Sequence, residues 1–332
     1  MELVKNFKNI IFLAIVVLFV LQMIVMKKEG SINQEKESAK KPLIGLSTFS
    51  LYSITKSIAK DTMDIYMILP FGVDAHSFEP TPKLMAKISK SDLVIYSGAG
   101  LEPWTHGFDF KNRVINMSKY VYLRELKAGE HHYHHDDANK KHNEHYEIHS
   151  DAKKSHTNID PHYWLDISNM IKATNVITAQ LIKIAPQNTK IYNKNRDALK
   201  ASLNKLDADF RDRLSECKID TIVVNHNAYS YLADKYGFKV EALGGLSPEA
   251  EPSAKKMIEL IGHVKKHNIS TIFFESFVSD KAIKSIAKEA KVGVDVFQPL
   301  GNITADEAKQ NLSFEDIMRQ NLEKLAKAMK CQ

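Results

Sequence analysis

Cysteine is nearly missing from this chain: among 332 residues only Cys217 and Cys331 occur. Their spacing matches no thiolate metal motif, so a cysteine-built metal centre is excluded. In an oxidising compartment the two could pair, or Cys331 could stand free. No cysteine lies near the start of the chain, which excludes lipid attachment there. Also lacking is a glycine-rich phosphate loop after any predicted strand, so nucleotide binding has no support. The HExxH pattern of zinc hydrolases does not occur, nor does another spacing that would place a general base beside a metal. Basic residues exceed acidic ones by six, but the lysines are scattered with no basic stripe interleaved with aromatics, which argues against nucleic acid as a partner. Prolines number only 10 and apolar residues reach 44%, so the chain can build proper cores.

Long apolar runs are likewise scarce, with one exception at the start. Residues 10–26 are apolar apart from Gln22, follow Lys5 and Lys8, and are followed at once by Lys27 and Lys28. This is the pattern of a Sec signal, and 17 residues is at the short limit for a membrane span. Residues 1–28 therefore read as a signal peptide or a retained N-terminal anchor. Either places the rest of the chain outside the cytoplasmic membrane, in the periplasm. Residues 29–41 form a polar spacer.

The remainder alternates short β-rich runs with amphipathic helical patterns, as parallel βαβ units do. "LIGLSTFS", "DIYMILP", "DLVIYSG" and "RVINM" read as strands of an N-terminal α/β lobe over residues 42–168. Residues 169–217 read as a helical linker broken at "APQN". Its second piece is long enough to act as a strut, with apolar positions at Ile191, Leu199, Leu203, Leu206, Phe210 and Leu214, and it implies modest lobe movement. "DTIVVNH", "STIFFES" and "VGVDVF" read as strands of a C-terminal α/β lobe over 218–332. The expected fold is α/β: two lobes, each with a small parallel sheet flanked by helices, joined by a long helix and enclosing a cleft.

Histidine is abundant where apolar residues are not. Seven of the 14 histidines fall in "GEHHYHHDDANKKHNEHYEIH", residues 129–149, inside a polar loop spanning 129–156. Such composition suits metal collection but not a fixed geometry. Three histidines stand apart: His76 in the proline-bounded loop "GVDAHSFEPTP", His162 in "DPHYWLD", and His226 at the end of "TIVVNH". Ligands of open α/β sheets bind beyond the carboxyl ends of strands, and His76 and His226 follow predicted strands of different lobes. His106, His263 and His267 read as ordinary loop or helix-surface residues.

The segments around the trio resemble the zinc and manganese solute-binding proteins of bacterial ABC uptake systems, most closely the zinc (ZnuA-type) branch. "GVDAHSFEPTPKLMAKISKSDLVIYSGAGLEPW", "DPHYWLD", "NHNAYSYLADKYGF" and "SPEAEPSAKKMIELIGHVKKHNISTIFFES" carry the resemblance in order, over nearly everything after residue 41. It implies His76, His162 and His226 as metal ligands, Zn²⁺ as the transported ion, an ABC permease and its ATPase as partners, a monomer, and no enzymatic activity. Where many members have an aspartate as fourth ligand, "DVFQPLG" here puts Gln298, a poor zinc donor. The fourth position, near Gln298, is thus left to water or to a neighbouring carboxylate, with Asp295 and Glu79 as the candidates. Three imidazoles favour Zn²⁺ over Mn²⁺. The alternatives are a manganese or other divalent-metal binding protein, an extracytoplasmic zinc buffer or adhesin, and a zinc hydrolase. Asp74, Asp160 and Asp166 are the nearby acceptors that could orient the ligand rings.

Overall fold

The computed structural model describes residues 15–23, 40–111, 113–125, 159–244, 253–276 and 280–332. Residues 1–41 form one unit, in which 15–23 is helical with exposed apolar side chains. Among the described residues no helix is long and apolar enough to cross a membrane. Most of the 1–28 segment expected as signal or anchor, and all of the 129–149 histidine tract, lie outside the described residues.

Residues 42–332 form a second unit, built on two parallel sheets. The first contains β1 (Leu43–Leu46), β2 (Asp64–Met67), β3 (Leu93–Tyr96) and β4 (Val114–Asn116) in the order β2-β1-β3-β4. The second contains β7 (Thr221–Val224), β8 (Lys239–Ala242), β9 (Thr271–Phe274) and β10 (Gly293–Val296) in the order β10-β9-β7-β8. Strand β7, "TIVV", is buried at all four positions, as expected of an inner strand of a parallel sheet covered on both faces. Each sheet reverses its winding between two adjacent strands, β1 and β3 in the first and β7 and β9 in the second. That reversal opens a crevice at the carboxyl ends of those strands.

A helical hairpin joins the sheets. Helix α3 (Ile167–Ile184) stops at Pro186, and α4 (Thr189–Arg213) packs back along it. At 25 residues α4 is about 37 Å long. Its buried seam is Tyr192, Leu199, Leu203, Leu206 and Phe210, whereas Ile191, expected to face inward, is 42% exposed. Tyr192 takes the inward place because it is in helical phase with Leu199, Leu203, Leu206 and Phe210, and its hydroxyl shares a hydrogen bond of 2.7 Å with Thr62, just past helix α1 (Phe49–Ala59).

One continuous apolar core runs under both sheets, from Ile44 and Leu46 through Leu203 and Phe210 to Val224, Phe273 and Phe297. Smaller clusters cover the remaining faces, around Ile88 and Trp104 on the first sheet and around Leu260 and Ile286 on the second. The halves expected as separate lobes thus share their central core. The segment after β10 ties them further. The carbonyls of Leu300 and Gly301 accept the amides of Ser50 and Phe49 at the start of α1, at 3.2 and 2.9 Å. Cys217 and Cys331 form a disulfide.

Candidate metal centre

Each of the three isolated histidines reaches the crevice by a different local device. His76 sits in the loop after β2, where its amide donates to Asp74 Oδ1 at 3.2 Å. That loop is clamped from outside: Asn302 donates its side-chain amide to the carbonyls of Pro70 and Val73 at 2.6 and 2.7 Å.

His162 follows β6 (Ile159–Asp160), which pairs antiparallel with β5 (Arg124–Glu125). Asp160 is fully buried, and its Oδ1 accepts both the backbone amide of His162, at 2.9 Å, and Nδ1 of the ring, at 2.8 Å. The second Asp160 oxygen takes the Ser230 hydroxyl, and the Asp160 carbonyl takes Tyr231 Oη at 2.8 Å. A carboxylate on Nδ1 holds the proton there and leaves Nε2 as a lone-pair donor. The Trp164 ring stands edge-on to the imidazole at 5.4 Å and is anchored by its indole N–H to the Pro299 carbonyl.

His226 stands two residues beyond β7, so the strand itself aims it at the crevice. It is 2% exposed, and its Nδ1 lies in close contact with the carboxylate of Glu275, itself 1% exposed. The contact is poorly angled for a hydrogen bond, and Nε2 of His226 has no protein partner.

The rings converge. His76 Nε2 and His162 Nε2 are 3.3 Å apart, and the ring centres of His76–His162 and His162–His226 are separated by 5.3 and 5.4 Å. Two nitrogens bound to one tetrahedral zinc at its usual bond length stand about 3.3–3.4 Å apart, with ring centres about 5.2 Å apart. The spacing is that of ligands around a single small ion. No three His, Cys, Asp or Glu side chains among the described residues already meet at one coordination point, so a pair is set and the third donor must close by a small ring adjustment. The cavity between them, about 20 Å³, is bounded by Val73, Leu101, Trp164, Pro299, Gly301 and Asn302. It accommodates one ion or one water and nothing larger. Burial, reinforced by the neighbouring His162 and His226 rings, lowers the His76 pKa well below the ordinary imidazole value, so this ring is held as a neutral donor.

Glu275 also lines the cavity, and sequence reasoning missed it. The available signal was positional: Glu275 directly follows β9, as His226 closely follows β7, and these two strands flank the reversal of the second sheet. Gln298, the expected neighbour of the fourth position, is buried but does not line the cavity. Its carboxamide donates to Ser276 and Glu307 instead. Asp295 faces Lys324, and Glu79 is exposed; neither borders the cavity. Of the acceptors considered for ring orientation, Asp160 reaches a ligand ring directly, whereas Asp166 caps α3 through the Ser168 amide at 2.8 Å.

Residues 44–328 match the family model described as "Zinc-uptake complex component A periplasmic", ZnuA. The chain belongs to the ZnuA family. It is 31% identical over 282 residues to the high-affinity zinc uptake system protein ZnuA of Bacillus subtilis, covering 83% of this chain and 84% of that protein. It is 32% identical over 280 residues to the zinc-binding protein AdcA of Streptococcus pyogenes serotype M3, and spans about half (54%) of AdcA's length. Among solved structures, the Zn(II)-bound ZnuA-like domain of Streptococcus pneumoniae AdcA superposes with a TM-score of 0.69 at 29% identity, over 88% of this chain and 99% of that domain. The laminin-binding protein of Streptococcus agalactiae, described as an adhesin with metal-transporting activity, gives 0.72 at 28% identity, over 87% and 99%. Like its ZnuA-family relatives, the chain is a mixed α/β binding protein and not an enzyme.

Proposed function

We propose that this protein captures Zn²⁺ outside the cytoplasmic membrane and delivers it to an ABC permease driven by its ATPase. His76, His162 and His226 bind the ion through Nε2, and the Glu275 carboxylate, against Nδ1 of His226, orients that ring. The observation that carries the reading is the convergence of three imidazoles from three separate parts of the chain, two of them 2–3% exposed. A cavity of about 20 Å³ suits a bare ion as cargo and leaves no room for an organic substrate. Three nitrogen donors favour Zn²⁺ over Mn²⁺, which prefers oxygen donors. The N-terminal segment acts as export signal or membrane anchor, and the binding protein works as a monomer.

Equilibrium competition against a zinc chelator of known affinity tests the ligand set. His76→Ala, His162→Ala and His226→Ala each lose tight binding, because two remaining imidazoles hold zinc poorly. Wild-type affinity in any two of the three overturns the assignment.

A further inference from the structure

His263 and His267, which the sequence offers as ordinary helix-surface residues, are brought against a carboxylate. They lie at the C-terminal end of helix α6 (Ala254–Lys266), four positions apart and therefore on one face of the helix. Their ring centres are 5.9 Å apart. The carboxylate is Glu241 of β8, the edge strand of the second sheet. Side chains alternate along a strand: Val240 and Ala242 join the central core, whereas Leu243 packs with Leu260 and Val264 of α6. Glu241, two positions from Leu243, points to that same helix-covered face. Its Oε1 is 3.5 Å from Nδ1 of His263.

That distance is too long for a good hydrogen bond, and His263 Nδ1 is buried with no hydrogen-bond partner. It is close to the spacing, about 3.3–3.4 Å, of two donors sharing one tetrahedral ion. We infer that Glu241, His263 and His267 form a second site for a zinc-like divalent cation, on the face of the second sheet covered by α6 and independent of the cleft.

Nδ1 of His263 and Oε1 of Glu241 are the preset pair. His267 is the third ligand, and its ring must close by somewhat under 1 Å from its present centre-to-centre distance to match the spacing of two imidazoles on one ion, about 5.2 Å. Solvent completes the shell. Three features favour a cation here. The helix C-terminus carries partial negative charge. The nearest lysine on the strand, Lys239, is already paired with Asp220 at 2.8 Å. Glu241 and His263 are 36% and 46% exposed, so the pair lies at the surface, and a turn of the His263 ring opens its covered Nδ1 to an ion. Exposure also makes this site weaker than the cleft, where the ligands are desolvated and oriented.

The test is a Zn²⁺ titration of the full chain, read by NMR of the histidine rings. After the first equivalent fills the cleft, the His263 and His267 rings shift together with one shared affinity. His267→Ala and Glu241→Gln each weaken the zinc response of His263 by at least about tenfold, the lower end of what losing even a group that only orients a ligand costs, while cleft affinity stays at the wild-type value and serves as the control for folding. The inference is overturned if either ring stays unmoved at millimolar zinc. It is overturned equally if His263 responds with unchanged affinity in both variants, which would mean a lone imidazole collecting ions adventitiously. Because the cleft and this site are read by different rings, failure here is separate from failure of the proposed capture site.

Discussion

Glu275→Gln separates the carboxylate's charge from its shape. The substitution keeps the side-chain volume and a carbonyl oxygen that can still accept from Asn225, whose amide lies 3.4 Å from Oε1 in the wild type. It removes the negative charge that orients the His226 ring at the cavity wall. Loss of a partner of this kind weakens metal binding 10–100-fold in comparable sites; at 30-fold the cost is about 2 kcal/mol. Zinc at 1,000 times the wild-type Kd stabilises the wild type by about 4.1 kcal/mol, and at that same concentration the variant gains only about 2.1 kcal/mol. The apo protein should not suffer, since a carboxylate 1% exposed is costly to desolvate and the neutral amide is not. The signature is an apo melting temperature equal to or above wild type, together with a zinc-induced rise cut to about half. Calorimetry with and without zinc, backed by chelator competition, reads both quantities. A zinc affinity within twofold of wild type would refute the role given to Glu275.

Gln298→Glu sets a carboxylate against Glu307 in a buried pocket; it should cost about 2–3 kcal/mol in denaturant unfolding and leave the zinc Kd unchanged. Because the folded pKa of His76 lies below its unfolded value, the unfolded chain binds the extra proton between the two. The His76 contribution to apo stability is therefore present above about pH 6.5 and lost as pH falls from there toward the folded value; His76→Asn should flatten the stability–pH slope in that window. The Cys217–Cys331 bond closes a loop of 114 residues, and chain-entropy reasoning puts its removal by Cys217→Ser/Cys331→Ser at up to about 5 kcal/mol, seen as a lower melting temperature with zinc affinity intact. Deleting residues 130–149 should lower the total zinc bound per chain and spare one tight site; loss of the tight site would place the metal centre in the tract.

The α/β class was legible because strands such as "TIVV" and "LVIY" are short, apolar and spaced by amphipathic helices, a pattern local enough to read directly. The convergence of His76, His162 and His226 was legible for a different reason: each lies in a segment of distinctive wording near the end of an element. Glu275 escaped because a single glutamate after "TIFF" carries no mark of its own. Its meaning comes from the strand order β10-β9-β7-β8, a long-range pairing that no local pattern states. Gln298 misled for the same reason in reverse, since its neighbours Ser276 and Glu307 arrive from elsewhere in the fold. The shared core was hidden too, because apolar residues announce burial but not which neighbour buries them.

The three imidazoles are not equally deep. His162 and His226 are 3% and 2% exposed, while His76 is only half-buried and belongs to a loop pinned at Pro70 and Val73. Under the proposed ligand set, an ion arriving from solvent would meet His76 on the outer side, and a departing ion would keep its bonds to the inner pair longest. Ligand exchange would then acquire an order, with His76 as the swinging contact and the His162–His226 pair as the seat. A partner that needs to unload the site has a short lever available in the loop after β2. Pulling on that loop trades one bond at a time, which converts an equilibrium hold into a tunable residence time.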